Sequence, residues 1–288
     1  MSQSPVPGRD TAYVWICQGV GGRPAPAGPL LRRAGAALLG CPEAEIVAGH
    51  DRDGRPLVTV RGGDARAGLA VSVSRAGGVV AVAARVGGPV GVDVERCRPL
   101  PALALARRWF APAEAAWLAG RPDGGRVADF LRLWTAKEAV GKALGVGLRD
   151  GGPGRRMPVP GDPDGSLRPV PGGLDGALRP VPGSPGCSAS WDPSAGGRLR
   201  VGHPPVGGGL VLAVAVVATG AVRVEILPGD ALRGDLPSVD EMHGDVPVVD
   251  GPAAEDGDVG AGRRTGHVAA ARSASTDRTS LPVVVRGN

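Results

Sequence analysis

Apolar and polar positions recur along this chain with two different periods, which predict its strands and helices. A period of two, or a short apolar run between glycine-rich turns, predicts strands over residues 11–18, 44–48, 57–60, 69–74, 79–86, 90–95, 187–191, 198–202 and 210–218. Helical spacing predicts helices over residues 30–40, 100–106 and 112–118, and a further helix that begins at residue 128 and is stopped by Gly145 and Gly147. Loops are expected at 21–29 and 121–125. The interspersed strands and helices indicate an α+β fold.

The periodic pattern is lost in two segments. Residues 149–186 are rich in glycine and proline and repeat DGSLRPVPG as DGALRPVPG, which is typical of an expanded, low-complexity loop. Residues 227–288 have no periodicity and are expected to form a disordered tail. The 49 glycines and 29 prolines make up more than a quarter of the chain, and much of that excess falls in these segments.

Composition and charge exclude several classes of function. The net charge of +5 comes without a basic stripe interleaved with aromatic residues, so nucleic-acid binding is not expected. The four cysteines are far apart and the histidines form no ligand-like spacing, which argues against disulfides and a zinc site. The first residues lack the pattern of a signal peptide, and the longest apolar run is half a membrane span. We therefore expect a cytoplasmic protein without membrane contact.

The chain has only two lysines, and both flank one glutamate. Lys137 and Lys142 lie either side of Glu138, and helical steps of four place Glu138 and Lys142 on one face with Phe130 and Trp134. Taken alone, the glutamate and lysine could form an ordinary surface pair of an amphipathic helix. The rarity of lysine in this chain favours a specific role.

Two further carboxylates lie on one predicted strand. The period of two places Asp93 and Glu95 on the same face, where they repel each other unless a cation lies between them, although a solvent-facing acidic edge is the alternative. Together with Glu138 they form an all-oxygen set that suits Mg²⁺, and the nearby lysines suit phosphate. The residues therefore indicate metal-assisted transfer at a phosphoanhydride. A P-loop is excluded because no GxxxxGK[ST] motif is present.

The motifs that carry these residues resemble those of a known family. VGVDVE at 90–95, followed by LWTAKEAVGK at 133–142 and GVGL at 145–148, is similar to the signature of the Sfp-type 4'-phosphopantetheinyl transferases. RRWFAPAEAAWL at 107–118 and GRPL at 54–57 resemble two further family motifs.

The resemblance implies a pseudo-dimer of two similar α+β halves, with coenzyme A held in the cleft between them. Residues 1–89 would form a shortened N-terminal half and residues 90–226 the C-terminal half, followed by the tail. Such enzymes transfer the phosphopantetheine arm of coenzyme A to a serine of an acyl or peptidyl carrier protein and release 3',5'-adenosine bisphosphate. The implied setting is secondary metabolism, and we expect a monomer.

The resemblance also implies roles for individual residues. Asp93, Glu95 and Glu138 would bind Mg²⁺, and Glu138 would accept the proton of the carrier serine. Lys142, with Lys137 beside it, would hold the pyrophosphate of coenzyme A.

Further contacts to coenzyme A would come from the first half. Arg55 would lie near the adenosine 3'-phosphate, and Ser74 and Arg75 stand where the family has serine and histidine. Arginine in place of histidine still binds phosphate, with different geometry. The first half also lacks a helical segment that carries basic contacts in relatives. Two alternatives therefore stay open: a degenerate homologue that binds coenzyme A or a carrier domain without transfer, and an unrelated magnesium-dependent phosphohydrolase.

Overall fold

The computed structural model describes residues 10–19, 25–62, 68–149, 151–160, 166–172 and 197–228. Within them the helices are α1 (Ala27–Leu39), α2 (Ala102–Trp109), α3 (Pro112–Ala119) and α4 (Asp123–Ala143). The strands are β1 (Thr11–Gln18), β2 (Ile46–His50), β3 (Pro56–Val60), β4 (Leu69–Ala76), β5 (Val79–Val86), β6 (Val90–Arg96), β7 (Arg168–Pro169), β8 (Arg198–Gly202), β9 (Leu210–Ala218) and β10 (Arg223–Pro228). Short 3-10 turns lie at Glu43–Glu45 and Gly152–Gly154. The α+β class predicted from the sequence is confirmed.

Two four-stranded sheets contain most of the strands. The first has the order β10-β1-β5-β4, and the second has the order β6-β9-β8-β7. All neighbours are antiparallel except β10 and β1, which run parallel. Strands β2 and β3 form a separate hairpin against which α1 packs. Within the described part of the chain, no helix is long and apolar enough to span a bilayer.

One apolar core forms where the inner faces of the two sheets meet. Alternate residues of β1, β5, β6 and β9 supply it, including Val14, Val92, Val94 and Val214. Because successive side chains on a strand point to opposite faces, the residues between these valines point away from this core. On β6 those residues face α4, which packs across β6 and β9.

Aromatic rings at the C-terminal end of α2 pack against α4. The ring centroids of Phe110 and Phe130 are 4.9 Å apart, and those of Trp109 and Trp134 are 5.8 Å apart. Phe110, Phe130 and Trp134 are buried. They hold the N-terminal part of α4 against its neighbours.

Several helix and strand ends differ from the sequence prediction. Helix α4 begins at Asp123, inside the segment expected to be a loop, and Pro122 is its extended N-cap residue. Helix α1 likewise begins at Ala27, directly after Pro26. The predicted stop of α4 is confirmed: Gly145 and Gly147 have φ values of 70° and 57° in the left-handed region.

The expected low-complexity insert is partly built into the fold. Residues 168–169 of the first repeat copy form β7 at the edge of the second sheet, and Val170 N–H donates to the Leu199 carbonyl at 3.0 Å. Val170 and Met157 are buried. The second repeat copy lies outside the described residues.

Strand β10 was not expected from the sequence. It lies across the predicted boundary at residue 226 and pairs with β1, so a C-terminal segment completes the N-terminal sheet. The short RVEILP run carries too weak an alternation to predict a strand, and only pairing with β1 orders it. The predicted strand at 187–191 and the tail after Pro228 lie outside the described residues.

Candidate active site

The two carboxylates of β6 point toward α4. Asp93 and Glu95 are 5% and 7% exposed, so the alternative of a solvent-facing acidic edge is wrong. Their alternation with Val92 and Val94 is as predicted, but α4 covers the acidic face. Buried carboxylates are costly unless they are paired or bind a cation.

A close approach between β6 and α4 makes this arrangement possible. Gly91 is two residues before Asp93 on the same face, and a Cβ at this position would overlap the Ala139 carbonyl oxygen and lie 2.6 Å from the Ala143 nitrogen. Glycine is therefore required at residue 91 for α4 to lie against the strand. The glycine of the VGVDVE motif sets the distance between the carboxylates and the helix.

Helix α4 contributes the third carboxylate to this region. Glu138 is fully buried, and neither side-chain oxygen has a hydrogen-bond partner. Burial raises the pKa of Glu138 to about 8, the charges of Asp93 and Glu95 add to the rise, and Lys142 opposes it. These effects favour the protonated form of Glu138 at neutral pH, and both carboxylates of β6 contribute to them.

Lys142 and Ser74 both contact Asp93. The Lys142 ammonium donates to Asp93 Oδ1 at 2.7 Å and to the Val92 carbonyl at 3.1 Å. The Ser74 hydroxyl donates to the same Oδ1 at 2.7 Å. The other oxygen, Asp93 Oδ2, is buried without a hydrogen-bond partner. One oxygen of Asp93 is thus held by two donors and the other is left for a ligand.

Glu95 is paired with a residue that the sequence reasoning missed. Arg98 donates to Glu95 Oε2 at 3.0 Å. Burial and the neighbouring Asp93 raise the pKa of Glu95, and Arg98 opposes this rise. The sequence shows Arg98 three residues after Glu95, but Arg98 lies in the loop after β6. The period of a strand does not continue into a loop, so the pairing could not be predicted from spacing.

Lys137 does not join this cluster. Its side chain is fully buried, and its ammonium donates to Glu114 Oε2 at 2.7 Å and to the Arg155 carbonyl. The ammonium also lies 4.7 Å from the centre of the Phe110 ring. Adjacent helix residues point about 100° apart, so Lys137 and Glu138 face different neighbours. The expected position of Lys137 beside the pyrophosphate-binding lysine is therefore not observed.

The residues of the first half that were expected to contact coenzyme A lie in different environments. The guanidinium of Arg55 lies over Gly145, just beyond the C-terminal end of α4. Arg75 is exposed at the end of β4. Ser74 is buried, and its hydroxyl is engaged with Asp93 rather than with open space.

The donor set fits a hard divalent cation. Asp93 Oδ2 and both oxygens of Glu138 are buried atoms without partners, and all are carboxylate oxygens of the kind that Mg²⁺ prefers. As they stand, however, no three acidic, histidine or cysteine side chains among the described residues are arranged to hold a metal ion. A cation at this position would satisfy the orphaned oxygens, and Mg²⁺ typically keeps water and substrate oxygens for its other positions.

Comparison with known proteins identifies the class to which these motifs belong. Residues 89–175 match the family described as the 4'-phosphopantetheinyl transferase superfamily, and this segment contains β6, α4 and the three carboxylates. The resemblance predicted from the sequence is confirmed over residues 89–175.

Individual relatives give the same class. The chain is 32% identical over 120 residues to the 4'-phosphopantetheinyl transferase HetI of Nostoc sp., covering 41% of this chain and 50% of the relative. It is 29% identical over 119 residues to the 4'-phosphopantetheinyl transferase of Bacillus subtilis, with the same coverages. The L-aminoadipate-semialdehyde dehydrogenase-phosphopantetheinyl transferase of Eremothecium gossypii is 33% identical over 135 residues, covering 42% and 45%. The chain thus spans about half the length of the curated relatives it matches, and both comparisons support the predicted enzyme class.

Proposed function

We propose that this protein transfers the 4'-phosphopantetheine arm of coenzyme A to a serine of an acyl or peptidyl carrier protein, with Mg²⁺, and releases 3',5'-adenosine bisphosphate. One observation carries the proposal: Asp93, Glu95 and Glu138 are buried together, beside Lys142, in the segment that matches the transferase superfamily. Burial of three carboxylates, with oxygens of two of them unpaired, costs free energy unless a cation binds there.

Asp93, Glu95 and Glu138 are the proposed ligands. A bound Mg²⁺ would favour the ionised carboxyl groups, polarise the attacked phosphorus and neutralise charge on the leaving phosphate. Lys142 lies 2.7 Å from Asp93, so its ammonium is placed to hold an adjacent pyrophosphate oxygen. The buried position of Glu138 excludes bulk water from the same region.

The transfer step follows from these positions. The carrier serine oxygen bonds to the β-phosphorus of coenzyme A, and the bond from that phosphorus to the oxygen of the adenosine bisphosphate breaks. The serine proton goes to Glu138, directly or through a water, when Glu138 is in its ionised form. Arg55 is the proposed contact for the adenosine 3'-phosphate, because it reaches the end of α4 from the first half of the chain. Arg75, exposed at the end of β4, is a second candidate for that phosphate.

We also propose that the two sheets represent the two halves of a pseudo-dimer, divided near residue 89. Each sheet carries a helix packed on its outer face, α1 on the first and α4 on the second. The site residues of β6 and α4 come from the second half, and Ser74 comes from the first. The expectations of a cytoplasmic monomer that acts in secondary metabolism stay predictions.

The test is a carrier-loading measurement. The protein is incubated with coenzyme A, Mg²⁺ and each of several apo carrier proteins, and the carrier mass is measured. We expect the mass to rise by one phosphopantetheine group, and we expect Asp93→Asn to slow the transfer by at least about 100-fold. Coenzyme A binding without any mass shift would favour the binding-only homologue. Release of phosphate without a carrier would favour the phosphohydrolase.

A further inference from the structure

Strands β4 and β6 lie side by side but do not pair through their backbones. Serine side chains make the connection instead: the Val92 N–H donates to Ser72 Oγ at 3.1 Å, and the Val94 N–H donates to Ser74 Oγ at 3.3 Å. Ser72 and Ser74 are two residues apart, so they share one face of β4 and meet alternate amides of β6. Two buried hydroxyl groups therefore contribute to the contact between the first sheet and the second.

The two serines differ in one respect. A hydroxyl can donate one hydrogen bond and accept two. Both serines accept from a β6 amide, but Ser74 also donates to Asp93 Oδ1 at 2.7 Å. An ionised carboxylate can only accept, and the amide can only donate, so the Ser74 hydrogen has a fixed direction toward Asp93.

We propose that Ser74 is a positioning residue for the metal ligand Asp93, and that this role, rather than contact with coenzyme A, explains the serine at residue 74. The inference rests on the proposed function. Ser74 and Lys142 both occupy Oδ1, which orients the carboxylate and leaves the unpartnered Oδ2 for the cation. Lys142 is 16% exposed at the side chain and belongs to the same half as Asp93, whereas Ser74 is buried and comes from the other sheet. The first half of the chain thus sets the geometry of a ligand that the second half supplies.

Ser72→Ala is a matched control for Ser74→Ala. Each substitution removes the acceptor of one buried β6 amide, so each should lower the midpoint of thermal unfolding by a similar amount, about 2–4 °C. Only Ser74→Ala removes the donor to Asp93. Loss of a hydrogen-bond partner behind a metal ligand typically weakens metal binding about 10–100-fold.

The experiment measures binding of Mn²⁺ alone, as a spectroscopic substitute for Mg²⁺, by electron paramagnetic resonance on the full chain. We expect Kd to rise about 10–100-fold in Ser74→Ala and to change by less than about threefold in Ser72→Ala. Equal Mn²⁺ affinities in the two variants would overturn the positioning role while the metal site stands. Wild-type protein that binds no Mn²⁺ would overturn the metal assignment and, with it, the positioning role, whereas the carrier-loading assay would still report on transfer separately.

A second variant keeps the test decisive if the alanine protein does not fold. Ser74→Cys retains a side chain of similar shape with a weaker donor. We expect its Mn²⁺ affinity to fall measurably below that of wild type and its KM for coenzyme A to change less than its kcat. Wild-type Mn²⁺ affinity in a folded Ser74→Cys protein would contradict the proposal.

Discussion

Glu138→Gln should stabilise the metal-free protein at alkaline pH while it abolishes transfer. Glu138 is fully buried without a hydrogen-bond partner, and its pKa is raised from 4.5 to about 8, first by burial and then by Asp93. An acid whose pKa is higher in the folded state loses stability as the pH rises, because ionisation is easier in the unfolded chain. This loss begins near pH 4.5 and is complete above about pH 8.

The size of the effect follows from the same shift. Between pH 6 and pH 8 the folded state holds nearly one more proton at Glu138 than the unfolded chain does. Each pH unit then costs about 1.4 kcal/mol, or about 2 kcal/mol over the interval once partial ionisation near pH 8 is included. For a fold of this size, 2 kcal/mol corresponds to about 4–8 °C in the unfolding midpoint. Glutamine carries no ionisable proton and should remove this part of the pH dependence.

The assay is thermal unfolding of wild type and variant at pH 6, 7 and 8 with a chelator present, followed by carrier loading with Mg²⁺. We expect the variant to gain stability relative to wild type as the pH rises and to lose at least about 100-fold in transfer rate. Glu114→Gln is the control, because Glu114 is buried but bonded to Lys137 and to two backbone amides, so the substitution should destabilise the protein. A wild-type pH slope in Glu138→Gln would refute the assignment of a buried proton to Glu138.

Three further outcomes are expected. Gly91→Ala should force α4 away from β6, lower the free energy of unfolding by about 1–3 kcal/mol and weaken Mn²⁺ binding. In the control Gly49→Ala the added methyl group meets open space, so neither quantity should change. Lys137→Met should lower the free energy of unfolding by about 3–5 kcal/mol, because it leaves the Glu114 charge buried without its cation. Adding Glu114→Gln should recover part of this loss in denaturant unfolding. Additive effects of the two substitutions would contradict the coupling. Removal of residues 229–288 should leave both the unfolding midpoint and the carrier-loading rate within error of wild type, and a large loss of either would show that this segment contributes to the fold or to a partner site.

The strands and helices near the site were largely predictable. The alternation in VGVDVE and the apolar steps of α4 are local patterns. The strand and helix that they predict form in the tertiary structure because both faces of each have neighbours to pack against. The starts of α1 and α4 were less predictable, because each helix begins several residues before its regular apolar spacing does.

Two features had no adequate local signal. Residues 168–169 belong to a repeat that is typical of a loop, yet they pair with β8 because that edge is open to them. Strand β10 completes a sheet whose other strands lie in the first 86 residues. Such pairings depend on which edges are free, and that is a property of the whole fold.

The sequence by itself identified the three carboxylates, the lysine that accompanies them and the family to which their motifs belong. Residue type and spacing suffice for this, since hard oxygen ligands and a cation define a narrow range of chemistry. Only the tertiary structure separated the two lysines: one turns toward Asp93, and the other is buried with Glu114 on a different side of α4. Only the tertiary structure also showed that Ser74 contacts Asp93 and that Arg98 pairs with Glu95. A hydrogen bond depends on distance and direction in space, and residues distant in sequence meet only after the sheets have packed.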